Sequence, residues 1–372
     1  MSDCSAIDHA HMAAALRLAE RGLFTTQPNP RVGCVIAQGE DVVGRGWHVR
    51  AGGPHAEVFA LAEAGAQARG ATAYVTLEPC AHHGRTPPCA DALVAAGISR
   101  VVIAHEDPFA EVDGRGIERL RAAAIAVETG LMKPLARELN RGFFSRIERG
   151  RPWVRLKLAM SLDGRTALAN GESKWITGEA ARADVQRWRA RSSAILTGLG
   201  TVRADNPRLT VRLPHAAEHD ADAAAVAPLR VILDSRLRLP ADAHVLDGTA
   251  PTLLVHARDG APVERDFGPA ERVGVEMTGD RLDLKAVLGE LARRQVNEIQ
   301  VEAGPTLCGA LLAAGLVDEL LLYIAPVLLG DRANPLLGLP QLTDMSARWK
   351  LKTVDQRMLG TDSRWLLRPE EN

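Results

Sequence analysis

The sequence predicts a two-domain α/β protein, and three observations carry that prediction. Strand-like runs rich in Val, Ile and Leu alternate with helix-length segments before residue 132 and again after residue 152, the pattern of layered α/β domains. A chain of 372 residues, 46% of them hydrophobic, can bury two cores of ordinary domain size. Between the two alternations, residues 132–150 carry Lys133, Arg137, Arg141, Arg146 and Arg149, followed by Arg151 and Pro152. This stretch reads as a charged helix and connector, so domains are expected at 1–149 and 150–372.

In chain order, residues 8–21 read as a helix with small apolar residues on one face and Gly22 as its stop. Residues 32–37 and 42–48 read as a strand hairpin, 55–68 as a helix, 73–77 as a strand, 88–96 as a helix and 101–104 as a strand. The second alternation has strands at 153–160, 194–199, 229–233, 252–256 and 298–301, with helices at 179–192 and 283–295. Residues 320–329 read as an apolar strand pair covering a sheet edge or a subunit contact, and a homo-oligomer is expected. The Ala- and Asp-rich segment 215–228 has no usable periodicity and reads as a surface insertion without chemistry.

A net charge of -1 gives no global electrostatic footprint for nucleic acid or an anionic membrane. No run approaches the roughly 20 apolar residues of a membrane span, and the first twenty residues lack a basic segment followed by an apolar block. The expected compartment is the cytoplasm. Five cysteines are too few and too scattered for a disulfide framework, which leaves metal ligation or core packing for the thiols. Cys34 and Cys308 lie in apolar settings and read as core residues; His9, His11, His83 and His105 read as side groups with surface placement preferred.

Chemistry concentrates first at His55-Ala56-Glu57, Pro79-Cys80 and Cys89. One imidazole and two thiolates are three zinc ligands, leaving a fourth position for water, as a catalytic site requires. Zinc lowers the pKa of bound water to about 7. Glu57, two residues past the histidine, is free of ligation and is the candidate general acid/base. The nucleobase-deaminase pattern H-x-E with P-C-x-x-C is approached but not met literally, because Cys80 and Cys89 stand further apart. A closed structural zinc site, with another histidine as fourth ligand, is the alternative at this point.

The stretches PNPRVGCVIA at 28–37, GRGWH at 44–48, GGPHAE at 52–57 and TLEPCAHHGRTPPC at 76–89 resemble the deaminase half of the bifunctional riboflavin-biosynthesis enzymes. That resemblance implies a cytidine-deaminase-like α/β/α domain with zinc. It also implies hydrolytic deamination of 2,5-diamino-6-ribosylamino-4(3H)-pyrimidinone 5′-phosphate, with Asn29, His48, His82 and Arg85 lining the substrate pocket. The Arg85 fork suits a phosphate. The chain departs from the family at Phe59, where a histidine is usual, and at Phe109, where an asparagine follows Asp-Pro; the second departure replaces a polar group with an apolar one.

KLAMSLDGRTA at 157–167, GESKWIT at 171–177, ILTGLGTVRADNPRLTVR at 195–212, ILDSRLRLP at 232–240 and VEAGPTLCGALL at 301–312 resemble the reductase half of the same enzymes. This implies a dihydrofolate-reductase-like α/β domain using NADPH. The cofactor contacts implied are Ala159, Trp175, Thr201, Asp205, Ser235 and the turn Gly304, Pro305, Thr306, Leu307, Cys308, Gly309 and Ala310. The turn leads from a strand into a helix, where exposed amides favour a diphosphate. Ser235 and Arg236 follow a strand and suit a ribose 2′-phosphate. The substrate contacts implied are Ser173, Arg189, Leu209, Arg212 and Glu302, with the arginines suited to the 5′-phosphate. Lys157 and Asp205 are candidates for polar groups near the reacting carbon, the alternative being plain ion-pair members. Residues 198–203 begin like a dinucleotide-binding fingerprint but lack its third glycine.

Two other classes stay open. A nucleic-acid-editing zinc deaminase would need a basic groove or stacking surface, for which local patches, especially around 137–151, offer material. A zinc-stabilised binding protein with a nucleotide-sensing second half would unfold on loss of the metal.

Overall fold

The computed structural model describes residues 4–81, 88–109, 112–213, 225–259 and 265–370. The chain divides into two compact units, the first running to Gly150 and the second beginning at Arg151, with a short stretch ending at Val226 grouped with the first. Most of the expected insertion at 215–228 lies outside the described residues.

The first unit contains α1 (Ala6–Glu20), β1 (Gly33–Gln38), β2 (Asp41–Trp47), α2 (Ala56–Ala64), β3 (Thr72–Val75), α3 (Cys89–Ala95), β4 (Arg100–Ile103), α4 (Arg115–Ala122), β5 (Ala126–Thr129), α5 (Lys133–Leu139) and α6 (Arg141–Arg149). Its sheet has the order β2-β1-β3-β4-β5, antiparallel as far as β3 and parallel from β3 to β5. Alternation along the strands sorts the core onto two faces. Cys34, Ile36, Ala73, Val75, Val101 and Ile103 pack against α2, α3 and α4, whereas Val35, Ala37, Tyr74 and Val102 pack against α1 and α5. The result is the expected α/β/α sandwich. The single helix expected at 132–150 is two helices meeting at Asn140, whose side chain exchanges hydrogen bonds with the Arg31 backbone at 2.8 Å each way.

Two glycines set how closely α2 approaches the sheet. A Cβ on Gly44 would stand 2.2 Å from the Ala60 carbonyl oxygen, and one on Gly46 2.1 Å from that of Ala56. Neither position accepts a side chain without moving the helix that starts with His55 and Glu57.

The second unit comprises β6 (Trp153–Ser161), β7 (Arg165–Ala167), α7 (Glu179–Ala190), β8 (Ala194–Gly198), α8 (Leu199–Asp205), β9 (Leu229–Leu233), β10 (Thr252–Ala257), β11 (Glu271–Val275), β12 (Met277–Thr278), β13 (Arg281–Leu282), α9 (Leu284–Arg293), β14 (Glu298–Val301), α10 (Pro305–Ala313), β15 (Glu319–Ala325), β16 (Asn334–Pro335), β17 (Leu351–Leu359) and β18 (Asp362–Pro369). Nine strands form one sheet in the order β11-β10-β9-β8-β14-β6-β15-β18-β17. It is parallel from β11 to β15, and the last two strands are antiparallel.

Alternation on β6 places Val154, Leu156 and Leu158 against α9 and α10, and turns Arg155, Lys157 and Ala159 the other way. Arg155 is fully buried and pairs with Glu298 of β14 at 2.8 Å and Glu319 of β15 at 2.7 Å, binding three adjacent strands through one guanidinium.

Three expectations need correction. The apolar run 320–329 is not an edge pair: Glu319–Ala325 is one strand between β6 and β18, and its continuous apolar character reflects burial on both faces. His11 is buried, with Nε2 2.9 Å from the Gly39 carbonyl and its ring against Tyr74. His105 is buried as well, its ring 4.3 Å from that of Phe144. Among the described residues no helix is long and apolar enough to cross a membrane.

Candidate functional site

In the first unit the end of the hairpin, the start of α2, the turn after β3 and the start of α3 converge. His55 is the N-cap residue of α2 and Cys89 opens α3. His55 Nδ1 lies 3.2 Å from Cys89 Sγ and 3.6 Å from Cys80 Sγ, and the three ligand atoms all fall within 4.8 Å of one another. Zinc bonds of about 2.0 Å to nitrogen and 2.3 Å to sulfur, arranged tetrahedrally, put ligand atoms roughly 3.5 Å apart. The donor set therefore fits zinc in both chemistry and spacing.

The Cys89 thiol, with a further contribution from the His55 ring, holds Cys80 well below the usual thiol range, while Cys80 and burial push the Cys89 thiol up. Burial pushes the Glu57 carboxyl up, with the His55 charge acting against it. Among the described residues, buried Glu57 Oε2 has no hydrogen-bond partner. A buried carboxyl with raised affinity for a proton and one oxygen uncommitted is equipped to carry a proton between reacting groups.

Asn29 and His48 join this cluster. Asn29 Nδ2 donates to His48 Nε2 at 3.1 Å, while His48 Nδ1 donates to the Pro54 carbonyl at 3.0 Å, so one tautomer is fixed. Burial lowers the His48 pKa, and its ring stands edge-on to His55 with centroids 5.4 Å apart. His82, Arg85 and His83 lie outside the described residues. Phe59 and Phe109 are both exposed.

The second unit holds a cleft of about 1540 Å³ along the carboxyl ends of β6, β8, β9 and β14, the customary ligand position in open parallel sheets. It is lined by Lys157, Ala159, Ser173, Trp175, Arg189, Thr201, Asp205, Leu209, Arg212, Ser235, Glu302, Gly304, Pro305, Thr306, Leu307 and Ala310, sequence candidates drawn from seven separate segments. Cys308 and Gly309 do not line it. Cys308 is packed in the core under α10, and a Cβ on Gly309 would lie 2.3 Å from the Gly338 carbonyl oxygen. Arg236 is exposed and is not among the lining residues either.

The floor of the cleft is an ion cluster. Arg189 Nε and Nη2 each reach a Glu302 carboxylate oxygen at 2.7 Å, and Gln300 Nε2 donates to Glu302 Oε1 at 2.8 Å. Burial alone would raise the Glu302 carboxyl, but the Arg189 guanidinium dominates with its partners and holds it at about 2. Burial lowers the pKa of the neighbouring Lys157 ammonium, with Glu302 opposing. Because the Arg189 fork is spent on Glu302, Arg212, exposed at the rim, is the better placed cation for a phosphate. Trp175 is 71% exposed at the cleft, with the Arg182 guanidinium 4.8 Å from its ring centroid.

Sequence reasoning passed over Gln186, which accepts the Arg212 N–H at 2.9 Å, and Gln300. Gln186 meets a backbone N–H 26 residues away, which no local pattern announces, and Gln300 is set beside Glu302 only by the two-residue alternation at the end of β14. It also passed over Glu78, beside Cys80.

The fold and sites define a class: a zinc-site deaminase of the cytidine-deaminase type joined in one chain to a dihydrofolate-reductase-like reductase. Residues 5–105 match the cytidine and deoxycytidylate deaminase zinc-binding region, and residues 152–362 match the RibD C-terminal domain. The chain is 49% identical to the riboflavin biosynthesis protein RibD of Escherichia coli K12, over 95% of this chain and 97% of that one. It is 46% identical to the Haemophilus influenzae RibD over the whole of both chains. The Acinetobacter baumannii RibD structure superposes with a TM-score of 0.90 at 46% identity, covering 98% of this chain and 99% of that one. The Thermotoga maritima diaminohydroxyphosphoribosylaminopyrimidine deaminase/5-amino-6-(5-phosphoribosylamino)uracil reductase gives 0.84 at 32% identity, with 98% and 99% coverage. The chain belongs to the RibD family of bifunctional deaminase/reductases of riboflavin biosynthesis. Its cofactors are zinc in the deaminase unit and NADPH in the reductase unit.

Proposed function

We propose that residues 1–149 remove an amino group from 2,5-diamino-6-ribosylamino-4(3H)-pyrimidinone 5′-phosphate, and that residues 150–372 reduce the ribosyl chain of the deaminated product to ribityl. The observation that carries this reading is the convergence of His55, Cys80 and Cys89 on one point, beside a buried carboxyl with a free oxygen.

In the first site, zinc held by His55, Cys80 and Cys89 supplies water acidic enough to act as a nucleophile near neutral pH. Glu57 accepts one proton of that attacking water and delivers it to a ring nitrogen, then takes the remaining hydroxyl proton of the adduct and passes it to the departing amine, which leaves as ammonia as the carbonyl forms. His48, neutral and held by Asn29 and Pro54, presents a fixed ring to the pyrimidine, and Asn29 keeps its carbonyl oxygen available to accept. His82 and Arg85 are proposed on the resemblance alone.

In the second site NADPH supplies the hydride to C1′ of the opened ribosylamine. Gly304, Pro305, Thr306, Leu307 and Ala310, with Ala159, Trp175, Thr201, Asp205 and Ser235, seat the cofactor along the cleft. Ser173, Leu209 and Arg212 hold the substrate, Arg212 on its 5′-phosphate. Lys157, half-buried at the floor of the cleft near Glu302 and Arg189, is the group placed to give a proton to the imine nitrogen as C1′ takes the hydride; Asp205 is exposed at the rim. The cytoplasm is the proposed compartment, with no nucleic acid or membrane required and self-association as the only assembly.

The test supplies the diaminopyrimidine ribotide and follows ammonia and NADPH oxidation separately. Both signals are expected, ammonia first. Ammonia release from RNA but not from the ribotide would replace this reading with nucleic-acid editing.

A further inference from the structure

Glu78 is a buried carboxylate that neither reaction uses. Its Oε2 accepts the backbone N–H groups of Asp107 and Gly114, each at 3.2 Å, and its Oε1 accepts those of Gly116 at 3.0 Å and Ile117 at 3.2 Å. The Glu78 N–H donates to the His105 carbonyl at 3.0 Å. One side chain thus gathers the end of β4 and the first turn of α4 onto the residue two places before Cys80. The contact is close: a Cβ on Gly116 would stand 2.0 Å from the Pro79 carbonyl oxygen. On its other side, the Cys80 carbonyl accepts the Ala90 N–H at 3.2 Å and Cys80 Sγ accepts the Cys89 N–H at 3.4 Å.

Cys80 is therefore clamped between α3 and, through Glu78 and Pro79, α4. Nothing else in the described residues fixes the Pro79 side of this turn by side-chain hydrogen bonds of comparable number. We propose that Glu78 is a positioning residue for the metal centre: its four accepted hydrogen bonds set where the Cys80 thiolate stands relative to His55 and Cys89. This rests on the reading of those three residues as zinc ligands. A glutamine at 78 presents one acceptor oxygen and turns an NH₂ group toward two backbone donors, so half of the clamp is lost and donor faces donor. An aspartate keeps the charge on a stem one methylene shorter.

The test uses the full chain with Co²⁺ in place of zinc, reading metal affinity by chelator competition and the thiolate-to-cobalt absorption band. For Glu78→Gln, affinity should fall about 10- to 100-fold, the range in which supports behind metal ligands act. The band should shift, while NADPH oxidation on deaminated substrate stays at the wild-type rate. Gly116→Ala, whose Cβ would stand 2.0 Å from the Pro79 carbonyl oxygen and 3.1 Å from Glu78 Oε1, disturbs the same clamp from the α4 side and should weaken the metal in the same direction, and Glu78→Asp should recover part of the loss. Wild-type affinity and band in Glu78→Gln overturn the proposal. So does metal loss seen only where the first unit has also lost its protease resistance, since Glu78 is then a plain fold support. Absence of a thiolate band in the wild-type chain itself sinks the underlying zinc reading instead.

Discussion

The two units solve the same problem, holding a small pyrimidine ribotide against reacting groups, by opposite constructions. The deaminase centre is compact: three ligand atoms within 4.8 Å and one carboxyl, carried on helix starts and tight turns that glycines bring together. The reductase centre is an open cleft of about 1540 Å³ whose lining is drawn from many separate stretches of the chain between Lys157 and Leu336. A reaction centred on one activated water needs few groups at high precision, whereas holding a dinucleotide and a phosphorylated sugar needs a long surface with many weak contacts.

That contrast is sharpened by removing parts of each site. The largest effect belongs to the metal: stripping zinc with a chelator, or Cys89→Ser, should reduce ammonia release to background while NADPH oxidation on deaminated substrate continues. Global unfolding after chelation would instead mark the zinc as structural. Next, Lys157→Met should lower the rate of reduction by about 10²-fold or more, in the range of positioned acid groups, with ammonia release untouched. A change confined to KM would assign Lys157 to binding alone.

Glu302→Gln leaves the Arg189 guanidinium uncompensated and should destabilise the second unit by about 3 kcal/mol. That is the lower end of the cost of a buried unpaired charge, because the pair borders the open cleft. Its pH dependence has a definite sign. The carboxyl is lowered from 4.5 to about 2 in the folded state, so its contribution is complete above pH 4.5 and is lost as pH falls toward 2. Acid titration of unfolding should show that loss in the wild-type chain and not in the variant. The smallest effect is Asn29→Ala, which removes one hydrogen bond to His48, about 1 kcal/mol or roughly five-fold in deamination. A loss of several hundred-fold would place Asn29 in the chemistry itself.

The same contrast explains what was legible in the sequence. The candidate zinc ligands His55, Cys80 and Cys89 and the candidate proton carrier Glu57 sit in short motifs whose residue types already suggest their chemistry, so they can be named from the sequence alone. The central strands announce themselves by composition. Other features depend on distant partners. Glu78 is silent because its four donors lie 29 to 39 residues away. His11 and His105 look like surface groups because Tyr74 and Phe144 cover them only in the folded chain. β15 reads as an edge because an all-apolar run looks the same at an edge as between two neighbours. β17, exposed along most of its length at the end of the sheet, carries no burial alternation to detect. Cys308 and Gly309 fall inside a motif whose helix turns them into the core.

The central claim is that one carboxyl carries the proton for deamination and takes no part in reduction. Glu57→Gln in the full chain tests it directly, with ammonia and NADPH oxidation measured in parallel on the diamino substrate and on the deaminated one. No ammonia is expected from the first substrate, and NADPH oxidation on the second should run at the wild-type rate. Ammonia release at an undiminished rate from that variant would contradict it.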